Sequence, residues 1–210
     1  ELLIVIPAYN EAENIERVVN HLTANFPQYD YVVVNDGSRD ETAAICQRNG
    51  YNLLNLPVNL GLAGAFQAGL KYADKYGYQY AVQLDGDGQH RPEDCRNCSE
   101  AMLRDDKIVL GVRDFTLPDV PKRSRRGNHV TSAVFRIFCG MKLSDTQTGL
   151  RAIPIDLLPQ ILEVKGDRYE FETQMLLDFK TYSIPYEEVK IETVYIEENQ
   201  TSHFRVVRDS

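Results

Sequence analysis

The sequence predicts a single α/β domain with a mostly parallel sheet flanked by helices. Three observations carry that expectation. Short apolar runs alternate with segments of helical spacing through the first half of the chain. The connections between them are short, as in right-handed strand–helix–strand units. The 210 residues, 43% hydrophobic and 26% charged, suffice for one sizeable core.

Each element has its own warrant. Residues 2–6, "LLIVI", form a buried strand that stops at Pro7. In "NEAENIERVVNHL" the residues Ile15, Val18, Val19 and Leu22 fall at helical spacing. "YVVVNDGS" is a second buried strand ending in a turn. Asp40 is expected to N-cap "ETAAICQRNG", with Gly50 as its stop. "YNLLNL" is a third strand, and "LAGAFQAGLKYADKYG" a helix whose small residues allow close packing. "YAVQL" is a fourth strand, "PEDCRNCSEAMLRD" a helix opened by Pro92, and "KIVLGVR" a fifth strand. The second half is less regular. It offers helices over "NHVTSAVFRIFCG", "LLPQILEV" and "YEFETQMLLDFKTYS", strand-like alternation in "PYEEVKIETVYIEE", and a polar, basic tail. There is no internal repeat, low-complexity segment or linker.

In open parallel sheets ligands bind beyond the carboxyl ends of the strands. "PAYNE", "NDGS", "DGDGQ" and "GVRD" all follow strand ends, so they are expected to converge on one rim. If "VQLDGDGQHRPED" is extended, Asp85, Asp87 and Gln89 share one face. Three oxygen-bearing side chains there are hard ligands for Mg²⁺ or Mn²⁺, whose shell waters and substrate phosphates would complete. Gly86 and Gly88 permit close backbone approach; a plain Gly/Asp surface turn is the alternative. Asp36 could accept hydrogen bonds from a base or ribose, or simply form a turn. Tyr9 could pack on a base with Glu11 as acceptor, or the pair could mark an acidic helix start. Arg113 could clamp a phosphate.

The net charge of −8 argues against a nucleic-acid partner. The charge is uneven. Residues 120–144 contain no acid and six of the 23 cations, leaving 17 cations against 31 acids elsewhere, a balance of −14. That basic segment suits an anionic substrate or a membrane surface, or is a solvated face. Val134, Phe135, Ile137 and Phe138 interleave with Arg136, which suits an amphipathic helix on a membrane or an apolar face packed on the core. Cys95 and Cys98 form a lone CxxC without a second pair or a His at zinc spacing, and read as reduced thiols of a cytosolic protein. No run of about 18 uncharged apolar residues occurs. The chain opens on "ELLIVIPAYN" without Met or a signal pattern, and trimming at both ends is expected.

"PAYNE", "VVNDGSRDET", "NLGLAGAFQAGL" and "LDGDGQHRPED" resemble, in order and spacing, the family 2 glycosyltransferases of GT-A fold. "GVRD", "SDTQTGLRA", "YEFETQML" and "SHFRVVRDS" extend the resemblance to the polyprenyl-phosphate, dolichol-phosphate mannose synthase-like branch. One departure is Asn35, where many members have a first of two aspartates. The resemblance implies a donor and metal half over residues 1–113 and an acceptor half over 114–210. It implies nucleotide contacts at Pro7, Tyr9, Glu11, Val34 and Asp36. Diphosphate and metal contacts would fall at Asp85, Gly86, Asp87 and Gln89, with Arg113 facing the donor phosphates or the acceptor. Asp85, Asp87 and Arg113 would carry catalysis. Arg123, Arg125, Arg126, Arg151, Ser202 and Arg205 are the candidates for holding the acceptor, with Ser202, His203 and Arg205 on a tail that either closes over the diphosphate or is a disordered end. Membrane helices often follow such a tail in this family.

The implied reaction is metal-dependent, inverting transfer from a UDP- or GDP-sugar to a polyprenyl phosphate at the cytoplasmic membrane face, by a monomer or homo-oligomer. An ionised phosphate acceptor needs no general base, since its second pKa lies near ~6; a sugar hydroxyl does. Asp145, Glu170 and Glu172 are the candidate bases. Transfer to a sugar is the nearest alternative. A processive synthase would carry QxxRW, and this chain has no Trp. A nucleotidyltransferase would show a basic Gly-rich loop where "PAYNE" stands, and a non-catalytic nucleotide-sugar module would not need Asp85, Asp87 and Gln89.

Overall fold

The central apolar runs become strands because they are buried on both faces. β1 (Leu2–Ala8) is buried from its second residue on, as are the last four residues of β2 (Asp30–Asn35). β3 (Leu53–Asn55), β4 (Tyr80–Gln83), β5 (Ile108–Arg113), β6 (Arg151–Pro154) and β7 (Tyr186–Ile191) complete one seven-stranded sheet in the order β3-β2-β1-β4-β6-β5-β7. The helices are α1 (Ile15–Asn25), α2 (Thr42–Arg48), α3 (Gly61–Lys75), α4 (Pro92–Asp105), α5 (Lys122–Val134), α6 (Leu158–Glu163) and α7 (Tyr169–Thr181). This computed structural model describes residues 1–88, 90–117, 120, 122–146, 148–164 and 169–192, with the backbone alone at Arg123, Tyr169 and Glu170. No helix among the described residues is long and apolar enough to cross a membrane.

Strand alternation sorts the core into two layers. Leu3, Val5, Ala81, Leu110 and Ile153 pack with Phe66 and Leu70 of α3 and Phe171, Met175 and Phe179 of α7. Ile4, Ile6, Val82, Leu84 and Val109 pack with Ile15, Val19 and Leu22 of α1 and Cys95, Cys98 and Met102 of α4. Gly69 marks the tightest helix–sheet contact. A methyl there would stand 2.2 Å from Cγ1 and 3.1 Å from Cγ2 of Val5, so no valine rotamer clears it.

Four findings depart from the expectations. First, β6 was not anticipated. It enters antiparallel between β4 and β5, with Gln83 opposite Arg151 and Val109 opposite Ala152. A strand of the second half thus sits in the middle of the sheet. Second, α5 begins at Lys122, six residues before the predicted start, so the cationic run forms its first turns. A π-helical turn, Phe135–Cys139, ends it at Gly140, which has φ 63°. Third, the helix expected to be capped by Asp40 begins at Thr42. Asp40 Oδ1 accepts the Thr42 amide at 3.0 Å while Oδ2 accepts the Ala12 amide at 3.1 Å, joining two loops. Fourth, Arg151, expected among the acceptor contacts, is 1% exposed. Strand alternation points it with Gln83 toward α7, where its Nη2 lies 3.7 Å from Glu172 Oε1.

Burial pushes the Glu172 carboxyl up to about 7, with Arg151 opposing the shift and Asp85 and Asp145 adding to it. The folded state therefore binds this proton more tightly than the unfolded chain.

Gly69→Ala should destabilise the fold by about 1–2 kcal/mol net, overpacking outweighing the gain in helix propensity. A thermal melt at fixed pH checks this. Glu172 should contribute most below its ordinary 4.5 and progressively less as pH rises through about 7. Urea unfolding of wild type and Glu172→Gln across that window should show wild type losing up to about 3 kcal/mol relative to the variant.

Candidate active site at the carboxyl rim of the sheet

The strand order reverses beside β1: β2 and β3 lie to one side, β4 and the rest to the other. This is the switch point at which ligands bind in open α/β sheets. The ends of β1 and β4 are pressed together there. The Leu84 amide donates to the Val5 carbonyl at 2.9 Å and the Gly86 amide to Pro7 at 3.3 Å. A Cβ at Gly86 would come within 2.9 Å of the Pro7 oxygen, so residue 86 lacks a side chain because the neighbouring backbone occupies the space.

The stretch after β4 is not extended, which corrects the alternation argument for Asp85, Asp87 and Gln89. Gly86 and Asp87 form a turn, and Gly88 follows at φ 76°. The two aspartates have different surroundings. Asp85 is locked: Gln83 Nε2 donates to its Oδ1 at 2.8 Å, and His90 Nδ1 lies 3.5 Å from its Oδ2. Gly149 faces the same oxygen so closely that a methyl there would be 2.1 Å away. Asp87 is half-buried on the turn. Behind the turn stands Arg17 of α1; a Cβ at Gly88 would lie 2.2 Å from its Nη2. Gln89 lies outside the described residues.

The β1 and β2 loops are stitched into one wall. The Asn10 amide donates to Ser38 Oγ at 3.0 Å, Asn10 Oδ1 accepts the Arg39 amide at 2.8 Å, and the Glu11 amide donates to Thr42 Oγ1 at 2.9 Å. Glu11 is buried, with Oε2 accepting from Asn14 Nδ2 at 3.0 Å. Burial raises its pKa, and Asp85 adds to the rise. Tyr9 lies half-buried beside it. Asp36 is buried with its Oδ1 on the Leu60 amide at 2.7 Å and its Oδ2 on Asn59 Nδ2 at 3.0 Å. It thereby caps the start of α3, and burial raises its pKa against the pull of the Leu60 and Gly61 amides. Pro7 and Val34 are buried, Val34 in the α3 layer of the core, so its side chain packs rather than reaching the rim.

Across the rim, Arg113 ends β5 with a forked ion pair. Its Nε and Nη2 donate to Asp145 at 2.7 and 3.0 Å, and its backbone amide adds a third contact at 3.3 Å. Asp145 is fully buried, and the Phe115 ring lies 5.0 Å from the guanidinium carbon. Thr148 Oγ1 donates to the Gly111 carbonyl, and Asn128 Nδ2 of α5 to the Ser144 carbonyl at 2.7 Å. Residues 144–146 and 148–150 are thus pinned between β5, α5 and Asp85. Asp145, one candidate base, is committed to Arg113. Glu172 is buried beneath the rim, and the Glu170 side chain lies outside the described residues.

The rim therefore brings together Tyr9, Glu11, Asp36, Asp85, Gly86, Asp87 and Arg113. Arg125 and Arg126 lie exposed on α5, with Arg125 Nη2 donating to the Leu117 carbonyl at 2.6 Å. The Arg123 side chain and Ser202, His203 and Arg205 lie outside the described residues. Sequence reasoning assigned nothing to Gln83, His90, Arg17 or Gly149. His90 stood inside a quoted motif, but nothing local links Gly149 to Asp85, 64 positions away. Among the described residues no three His, Cys, Asp or Glu side chains converge to hold a metal unaided. Asp85 and Asp87 do supply hard oxygens to a rim where acids outnumber cations.

The profile of Glycosyl transferase family 2 matches residues 3–158. A UDP-N-acetylglucosamine–dolichyl-phosphate N-acetylglucosaminyltransferase of Methanococcus voltae is 32% identical over 93% of this chain and 86% of its own length. An undecaprenyl-phosphate mannosyltransferase of Micrococcus luteus is 29% identical over 93% of this chain and 84% of its own. Glucosyl-3-phosphoglycerate synthase of Mycobacterium tuberculosis, solved with Mn²⁺ and UDP-glucose, superposes with a TM-score of 0.71 over 94% of this chain and 71% of its own, at 16% identity, a likeness of fold. With 156 of its 210 residues inside the family profile, the chain belongs to glycosyl transferase family 2, on the branch of the polyprenyl-phosphate transferases.

Proposed function

We propose that the chain transfers a sugar from a UDP- or GDP-sugar to a polyprenyl phosphate, with inversion, at the cytoplasmic face of a membrane. The observation that carries this reading is the arrangement at the switch point: the Asp87 turn sits against the end of β1, while Asp145 holds Arg113 at the end of β5. Its further support is the similarity, over nearly the whole chain, to transferases named for dolichyl and undecaprenyl phosphates.

The residues fit a divalent cation bound jointly with substrate. Asp87, with Asp85 and Gln89, would hold Mg²⁺ or Mn²⁺ by hard oxygens, and diphosphate oxygens and water would complete the shell. When bound, the ion stabilises the charge that gathers on the leaving diphosphate. The chain's own groups do the rest. Gln83 donates to Asp85 and orients its carboxylate, with His90 close by. The wall of Tyr9, Glu11 and Asp36 receives the nucleoside. The carboxylate fork holds Arg113 in one orientation as a fixed counter-charge for phosphate oxygens. The acceptor phosphate attacks the anomeric carbon in its ionised form, without loss of a proton.

A second reading, transfer to a sugar hydroxyl, is favoured by one observation. Burial pushes the Glu172 carboxyl up to about 7, near the range of a general base, and this reading would require it to reach the acceptor from beneath the rim.

A transfer assay with a panel of UDP- and GDP-sugars and a short polyprenyl phosphate tests the first reading. Metal-dependent formation of a lipid-phosphate sugar is expected, falling at least about 10²-fold in Asp87→Ala. Donor binding without transfer to any lipid phosphate would refute it. Glu172→Gln separates the two readings. Transfer to a phosphate acceptor should change only a few-fold, whereas transfer through a carboxylate base would fall about 10²- to 10⁴-fold.

A further inference from the structure

Most of the molecule follows the rule of apolar inside, polar outside; α5 and the π-turn after it do not. Val130, Val134, Ile137 and Phe138 are 62%, 46%, 70% and 81% exposed. Of the aromatic and aliphatic residues here only Phe135 turns inward. The spacing is ordered. Lys122, Arg126, Val130 and Val134 fall four apart, so they form one stripe along the helix. The π-turn then continues that stripe with Ile137 and Phe138 while Phe135 goes into the core. The alternative in which this apolar face packs on the core is therefore overturned for three of the four residues considered.

The charge on the stripe is equally one-sided. The segment 120–144 holds no acid. The first turn of α5 carries cations and no acid, where the helix dipole favours the reverse. Cations at that end cost stability until an anion neutralises them. Apolar side chains beyond them call for hydrocarbon at the same surface. The rest of the chain carries −14 and would be repelled from an anionic plane, which favours approach by this segment.

We propose that the stripe Lys122–Arg126–Val130–Val134 with Ile137 and Phe138 docks the protein on an anionic lipid surface. The cations would lie at headgroup level, with Ile137 and Phe138 inserted as the wedge. The inference rests on the lipid-acceptor reading only for its purpose. It gives that reading a geometry: Asn128 ties α5 to residues 144 and 146, and Asp145 between them holds Arg113. The docked helix and the phosphate-binding arginine thus share one short loop.

The chain contains no Trp, so Phe138→Trp places a single reporter at the wedge. With vesicles of phosphatidylglycerol and phosphatidylcholine, without polyprenyl phosphate, the introduced indole should shift to the blue and be quenched by brominated lipid. Wild type should co-sediment with these vesicles, less so with phosphatidylcholine alone or at high salt. Ile137→Ser with Phe138→Ser should weaken partitioning at least about tenfold while melting like wild type. Lys122→Glu with Arg126→Glu should abolish the preference for anionic lipid. In detergent with a short-chain polyprenyl phosphate, the serine variant should keep the wild-type rate. Absence of wild-type partitioning would overturn the proposal. So would self-association lost in the serine variant, which would assign the face to a second copy. A serine variant defective in detergent would assign it to the acceptor site instead. Vesicle binding without sugar transfer would leave the docking surface standing and refute the lipid-acceptor reaction.

Discussion

The fork between Arg113 and the fully buried Asp145 is the constraint on which the site depends. A carboxylate with no exposure is tolerable only when its charge is met and its lone pairs are filled. Two guanidinium nitrogens and the Arg113 amide do both. That requirement anchors Asp145 and its neighbours Ser144 and Thr146 to the end of β5. Beyond them Gly149 stands against Asp85 and β6 enters the gap between β4 and β5.

The rim is electrostatically unbalanced by design of its neighbours rather than of any single residue. Asp85 adds to the rise of the Glu11 carboxyl, and Asp85 and Asp145 add to that of Glu172 against the pull of Arg151 and Arg113. Burial is the main cause of the raised Glu172 and Glu11 carboxyls, since desolvation penalises the charged form, and the neighbouring carboxylates add to it. A bound cation would offset that added part, and the glycines at 86, 88 and 149 keep the space in which backbone and carboxylates approach.

α5 stands apart from this packed rim. Asn128 and Phe135 hold it down, and most of its remaining surface is open. Its cations and apolar residues share one stripe instead of opposite faces. A helix stabilised chiefly by the core would not keep such a pattern exposed.

Much of this was legible in the linear chain. The buried strands, the helices between them and the gathering of "PAYNE", "NDGS", "DGDGQ" and "GVRD" at one rim follow from periodicity, because a run apolar on both faces must lie inside a covered sheet. Family membership was legible too, from motif order. Other features were decided only by the tertiary structure. β6 is four residues long with Arg151 inside it, too short and too polar to announce itself, and its place is chosen by long-range pairing with Gln83 and Val109. The alternation argument for Asp85 and Asp87 failed because β4 ends at Gln83 and the chain turns at Gly86 and Asp87, where Gly86 is held against Pro7. Arg151 looked like a surface cation because sequence records charge and not depth. Whether Val134, Ile137 and Phe138 face core or solvent depended on which side of α5 the sheet offered a partner. Local sequence sets what each segment can be, and contacts between residues far apart in the chain set which side of it is hidden.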